Sequence, residues 1–289
     1  MVKRIMACLI LSYGIKANCQ FKESLISFNY LMNTANMDKN RSSSDIDFAI
    51  NVPLKLGKIH FLNTLNYSIY NFDFKKTFYD YQAIENIYNI SYGLSLLYPI
   101  YNDWKLKTNA TLALSSNFKG SVNSDDLFLT GGITFEKQLI NSIFEFGLGY
   151  YTFLGKPKIL PTISYSSKIN EMLTFKLGFP ISNINYQFND KSSITSELAF
   201  KGNYSNLSNL VVLDTYKSAN KVEFNNTNLK IGYNYNMDSN WTISINAGGY
   251  LNSDYSLNNT NTNNEEGFDL FKSPFISTGV KFNIKNKNQ

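Results

Sequence analysis

Apolar and polar side chains alternate residue by residue along this chain, in segment after segment. The clearest stretch is Asp45 to Leu56, where Ile46, Phe48, Ile50, Val52, Leu54 and Leu56 share one side and Asp45, Asp47, Ala49, Asn51, Pro53 and Lys55 the other. Successive side chains of a β-strand point to opposite faces, so period two makes a strand with one greasy and one polar face. Tyr88 to Tyr98 repeats the pattern, as do Trp104 to Leu114, Phe144 to Tyr150, Leu173 to Phe179 and Ile276 to Ile284. The template fits about fourteen segments, or about twelve without the weakest, around Ile163 to Tyr165 and Ile184 to Phe188. They start near Lys22, Ser43, Ile59, Ala83, Trp104, Asp126, Ile143, Pro157, Met172, Asn183, Ser193, Ala219, Trp241 and Lys272. Between Phe224 and Leu229 the apolar phase changes, which predicts a β-bulge near Asn225 and Asn226.

The connections differ by side. Every second one is short and rich in turn formers, such as Gly57-Lys58, Ile100 to Asp103, Ile140 to Ser142, Lys168 to Glu171, Asn189 to Ser192 and Asn236 to Asn240. The alternate ones are mostly longer: Ala35 to Ser42, Asp73 to Gln82, Asn203 to Ser218 and Asn252 to Phe271, with short exceptions near Gly155 and Pro180. Tight turns on one side and long loops on the other suit a transmembrane barrel with periplasmic turns and extracellular loops. Aromatic rings fall at two levels: Tyr98, Tyr101, Trp104, Tyr235 and Trp241 at the turn side, and Tyr70, Phe72, Phe118, Tyr150 and Tyr204 at the other. Two such belts match two bilayer interfaces. A soluble β-sandwich also alternates. Segments of ten residues or more, the loop asymmetry and the belts favour the membrane barrel.

Lys3, Arg4 and the apolar run Ile5 to Ile15 form a secretory leader, cut after Cys19 behind Ala17. Lys16 and Asn18 fit poorly the small or apolar residues that lipidation of Cys19 requires. Residues 1–19 are thus the expected signal peptide and 20–289 a single barrel domain exported to the outer membrane. Losing Lys3, Arg4 and Lys16 lowers the formal net charge from +5 to +2. No clustered basic stripe remains, so nucleic acid is not an expected partner. Both cysteines, Cys8 and Cys19, leave as well, and with them any disulfide or thiolate metal site.

Taken together, the leader ending before Gln20, the strand Asp45 to Leu56, the Leu-Gly-Phe-Pro corner of Leu177 to Pro180 and the closing Gly-Val-Lys-Phe-Asn-Ile strand of Gly279 to Ile284 resemble an uncharacterised family of Gram-negative outer-membrane β-barrels. The resemblance spans the mature chain. It implies an all-β antiparallel barrel and brings no assigned activity. Barrels of this kind often end on an aromatic residue that the barrel-assembly machinery recognises. Here the last aromatic is Phe282, with Lys285 to Gln289 beyond it, which weakens that signal.

No catalytic set, cofactor site or metal site emerges. His60 is the only histidine, lies just after a turn, and has no serine beside it in a catalytic pattern. One histidine and no mature cysteine make a zinc site improbable. Asn258 to Glu266 lacks the acidic spacing of a calcium loop. Gly131-Gly132, Gly248-Gly249 and the pair Gly147 and Gly149 are expected to mark close packing rather than a ligand path. If the apolar face meets lipid, Asp45, Asp47, Glu136, Glu145, Glu197 and Glu223 line the lumen. Lys55, Lys105, Lys107, Lys176, Lys201, Lys230 and Lys281 join them. These charges either set a field across a wet pore or pair and fill a closed barrel. The expected function is accordingly a passive or narrow channel for small solutes or apolar molecules. The alternatives are a non-conducting scaffold in an envelope complex, contacting partners through the loops at 203–218 and 252–271, and, remotely, a lipid-acting barrel enzyme. Outer-membrane lipid is the expected surround.

Overall fold

The computed structural model describes residues 24–33, 41–74, 83–214, 217–259, 265–269 and 273–284. The proposed leader lies outside them. The strands are β1 (Ile26–Asn33), β2 (Arg41–Leu56), β3 (Ile59–Phe74), β4 (Asn86–Pro99), β5 (Trp104–Ser116), β6 (Leu127–Gln138), β7 (Ser142–Tyr151) and β8 (Lys158–Lys168). They continue with β9 (Leu173–Phe179), β10 (Ile181–Asn189), β11 (Ser192–Asp214), β12 (Lys217–Asn236), β13 (Trp241–Asn258), β14 (Glu265–Asp269) and β15 (Pro274–Phe282). Each strand from β1 to β13 pairs antiparallel with the next, and β15 pairs with both β13 and β1. The ring therefore closes on 14 strands, with β14 a short addition to the end of β13. Closure leaves no free edge in the 14-strand ring, the condition for crossing lipid with strands.

The six connections at one end, hereafter the turn end, are two to four residues long. Left-handed backbone at Gly57 (φ 59°), Asn102 (48°) and Asp103 (63°) makes two of them tight, and these residue types tolerate that region.

Apolar side chains stand outward all round the lower wall. Leu129 is 66% exposed, Leu148 60%, Ile159 75% and Ile231 61%. Water would penalise such a belt, and hydrocarbon would not. The wall is a transmembrane wall.

The loop end departs from the expected loops. Residues 203–214 continue β11 to a length of 23 residues, and β12 begins at Lys217, so the supposed loop 203–218 is mostly a tall hairpin. Residues 252–258 likewise extend β13. Asn, Ser and Lys make these stretches polar overall, which hid their alternation. The adjacent wall is low, with β9 and β10 only 7 and 9 residues long. Above that low wall the hairpin leans across the mouth. Asn206 of β11 forms one parallel bridge with Ser116 of β5. The bridge bypasses β6 to β10 and makes a second, narrower ring from β1 to β5, β11 to β13 and β15.

The predicted bulge is misplaced. The extra residue sits on β13 at Leu251, where the pairing passes from Thr227–Asn252 to Asn228–Tyr250, and β12 runs through evenly. From Val222 to Asn236 the even-numbered β12 side chains face inward: Val222, Phe224 and Asn228 are buried, whereas Leu229, Ile231, Tyr233 and Tyr235 face out. The apolar phase changes because the apolar environment moves from surrounding lipid to the interior of the narrow ring.

Candidate functional site

Two layers fill the inside. The upper layer is the core of the narrow ring. Phe72, Ile87, Val222, Phe224, Tyr255, Leu257 and Phe275 pack there with Ile84, Leu207, Val211, Ala219 and Tyr250. Phe72 meets Phe224 and Tyr255 edge-on at ring-centre distances of 5.2 and 4.9 Å. The Tyr255 hydroxyl donates to the Ile84 carbonyl at 3.1 Å. Each buried large side chain contributes about 1.5–3 kcal/mol relative to exposure. A cavity of only about 20 Å³ lies beneath, bounded by Asp45, Ser43, Asn226, Ser253 and three rings, room for about one water. Tyr70 and Phe72, expected in an outer lipid belt, face inward to this core, and Tyr204 is buried against Phe128 at 5.4 Å. Tyr150 does stand outward, 47% exposed.

The seam that holds the hairpin to β5 is polar. Ser115 and Ser205 share a hydrogen bond of 2.7 Å, and Asn89 donates to Asn203 at 3.1 Å. Asn206 donates to Asp126 at 2.8 Å, the Ser208 N–H to Asn117 at 3.0 Å, and Lys221 to the Asp125 carbonyl at 2.8 Å. Each such bond adds about 0.5–1.5 kcal/mol net.

Burial pushes the Asp126 carboxyl up. Against it act the Asn123 N–H, the Asn206 amide, the Ser116 hydroxyl and Lys221, and together they hold the group below the usual carboxylate range. A depressed carboxyl stabilises the folded form above its unfolded pKa and loses that contribution as pH falls through the folded value. Acidification well below about pH 4 should therefore loosen the hairpin seam. Pepsin cleavage within residues 206–220 is expected to rise from pH 4 to pH 2 in the wild type. The Asp126→Asn variant, cleaved alike at both, is the control, and a wild type that tracks it would remove Asp126 from the seam.

The lower layer is charged. Glu136, 4% exposed, takes Lys105 at 3.0 Å and also pairs with Lys107. Lys107 bridges to Glu145, which takes Lys176 at 3.0 Å and the Ser164 hydroxyl at 2.6 Å. Five of the predicted lumen charges thus form one chain across β5, β6, β7 and β9. Lys230 and Glu197 form a second group, at 2.8 Å. Asp47 accepts from Ser68 at 2.6 Å. Asp45, Lys55, Lys201 and Lys281 lie on inward registers of β2, β11 and β15.

Glu223 does not join them. Its number is odd where the inward Lys230 is even, so it lies on the opposite face of β12. There it accepts from the Lys156 N–H at 2.7 Å and the Ser256 hydroxyl at 3.2 Å, near the β7–β8 turn. Without it the predicted inward set holds seven lysines and five carboxylates. The sequence contained this signal: continuous alternation through β12 already puts Glu223 and Lys230 on different faces.

Tyr98, Trp104, Tyr235 and Trp241 stand on the outer face near the turn end, and Tyr101 is 75% exposed in its turn. The glycines serve close packing. A Cβ on Gly149 would lie 2.3 Å from the Tyr151 ring, and one on Gly132 2.2 Å from its hydroxyl. Those hollows let Tyr151 lie along the inner wall and donate to Asn109 at 3.1 Å. Among the described residues, no group of three or more His, Cys, Asp or Glu side chains is placed to hold a metal.

A closed antiparallel ring, apolar outside and polar within, short-turned at one end, defines a β-barrel of the outer-membrane class. The chain belongs to the family described as Domain of unknown function (DUF6268), whose model matches residues 14–285. No curated protein matches it. Among solved structures it is similar to the KdgM porin in complex with disordered oligogalacturonate, at 9% identity, covering 90% of this chain and 99% of that one, with a TM-score of 0.39. The NanC porin matches at 8% identity, 90% and 100% coverage and a TM-score of 0.39. Outer membrane phospholipase A from Escherichia coli matches at 9% identity, 93% and 94% coverage and a TM-score of 0.40. Likeness at this level assigns neither a pore nor an activity.

Proposed function

We propose that the protein is a narrow passive channel for small solutes in the outer membrane, shut at its loop end in this conformation. The observation that carries this reading is the contrast between the two rings. The lower ring is closed by full strand ladders, whereas the cap over it is joined to β5 by a single backbone bridge and side-chain hydrogen bonds. Displacing the hairpin exposes a charged lumen without opening the wall. The turn end faces the periplasm, the leader of residues 1–19 is removed on export, and the assembly machinery inserts the barrel into outer-membrane lipid. On this reading no residue performs bond-making chemistry. A non-conducting scaffold is the second reading, favoured by the apolar upper core, with partners contacting the hairpin.

The test is to refold Gln20 to Gln289, verify the heat-dependent gel mobility of a closed barrel, and record currents in a planar bilayer. Infrequent stepwise currents with a mild anion preference are expected from seven lysines facing five carboxylates. Silence in the wild type and in a variant whose segment 206–220 is replaced by a two-residue turn would sink the channel reading.

A further inference from the structure

At the turn end of the lumen lies a group that conduction does not require. His60 is the only histidine of the chain, is 7% exposed, and has a buried Nδ1 without a hydrogen-bond partner. It occupies an inward register of β3, directly opposite Lys55 on β2. Across such a pair the Cβ atoms lie about 5 Å apart. On its other side Leu97 of β4 stands between His60 and Lys107 of β5 in the same row, with Lys105 one inward position nearer the turn. Two strand spacings are about 10 Å, within the reach of extended lysine side chains. The charges of both Lys55 and Lys105 act on the imidazole.

The balance of charge around His60 is incomplete. Lys105 and Lys107 share Glu136, and among the described residues no carboxylate pairs with Lys55. The buried ring nitrogen, on a register opposite Lys55, has no hydrogen-bond partner among the described residues, and a polar atom buried without a partner is an unfilled demand. Leu62 and Leu97, both buried, occupy the neighbouring inward positions, Leu62 the next one along β3 and Leu97 directly opposite on β4.

We propose that Lys55, His60 and Lys105 form a binding site for a small oxyanion, a phosphate or carboxylate, entering from the turn end. The Nδ1–H donates to an oxyanion oxygen, and the two ammonium groups balance its charge. Since His60 faces the lumen, the ligand is a soluble anion and not a lipid headgroup. The site stands whether or not the barrel conducts.

Linkage supplies the readout. An anion that binds the imidazolium more tightly than the neutral ring must raise the proton affinity of His60. With one histidine in the chain, its ring nitrogens can be followed by NMR without ambiguity. The experiment uses the refolded chain from Gln20 in detergent, labelled with ¹⁵N-histidine, and titrates inorganic phosphate or acetate against chloride at constant ionic strength. Expected are a saturable shift of the His60 ring signals with phosphate or acetate and a rise of about one unit in its pKa, a tenfold effect. Lys55→Gln, at an exposed site whose loss spares the fold, should weaken the response about tenfold. Lys105→Gln should do likewise, while Lys176→Gln should leave it unchanged. A His60 signal unmoved by either oxyanion, moved equally by chloride, or insensitive to Lys55→Gln overturns the proposal.

Discussion

A disulfide between positions 115 and 205 should silence the barrel reversibly. Ser115 and Ser205 sit at the polar seam with their hydroxyl oxygens 2.7 Å apart, which brings the Cβ atoms close to the 3.5–4.5 Å that a disulfide spans. Expressed from Gln20, the chain contains no other cysteine, so Ser115→Cys with Ser205→Cys forms one bridge only. Oxidised protein should show no stepwise currents, and reduction in the same bilayer should restore them to the wild-type frequency. Conductance that persists in the oxidised form would show that solutes bypass the seam, and the cap would lose its role as a gate. The mirror experiment, shortening the hairpin at residues 206–220, should raise open time at least tenfold. The two variants move the hairpin in opposite directions, so a misfolded barrel cannot mimic both results.

The second large effect concerns the lower layer. Replacing both Lys105 and Lys107 by Gln strips Glu136 of its two cationic partners while leaving it buried. Breaking a fully buried pair costs about 3–5 kcal/mol. The lysine side chains are 23% and 35% exposed in a wet lumen, so the expected loss is nearer 1–3 kcal/mol. It should appear as a lower midpoint in urea unfolding from lipid. The inward charge falls from two lysines in excess to none, and the anion preference should vanish with it. Adding Glu136→Gln removes the stranded carboxylate. That triple variant should regain stability to within about 1 kcal/mol and regain part of the anion preference. If it stays as unstable as the double variant, Glu136 is not what the lysines neutralise.

The lower barrel was legible from the residues because lipid outside and water inside impose opposite demands on alternate positions. Ile46 and Phe48 against Asp45 and Asp47 state that demand directly, and the short turns at Gly57-Lys58 and Ile100 to Asp103 mark where β2 to β5 end and begin. The upper ring was not legible. Val222 and Phe224 look like a shifted lipid face because hydrophobicity alone does not say whether an apolar side chain meets acyl chains or other side chains. Ser115, Asn203, Ser205 and Asn206 were equally opaque, since serines and asparagines are the usual residues of surface loops and only a fold that brings β5 and β11 together makes them a seam. The charge chain from Lys105 to Lys176 was visible as inward charges but not as pairs, because pairing depends on lateral register across four strands. A lone histidine with no nucleophile beside it in sequence carries no signal, and the unpartnered nitrogen of His60 is a property of burial that a sequence does not carry.

The change of face on β12 also marks a waterline. Its outward residues are Glu223, Asn225 and Thr227 above, then Leu229 and Ile231 below. On β2 the outward series passes from Ser42 and Ser44 to Ile46 and Phe48, and on β3 from Asp73 and Asn71 to Ile69 and Tyr67. Ile46 pairs with Ile69, and Ser44 with Asn71, so the two neighbours change at the same height. Of the 16 residues of β2, the five before Ile46 stand clear of the hydrocarbon, and the eleven that remain are what a tilted strand needs to cross it. The narrow ring therefore rises as a tower outside the bilayer. Lipid surrounds the lower wall, whereas the tower coheres by its own core and its polar seam, without help from the bilayer.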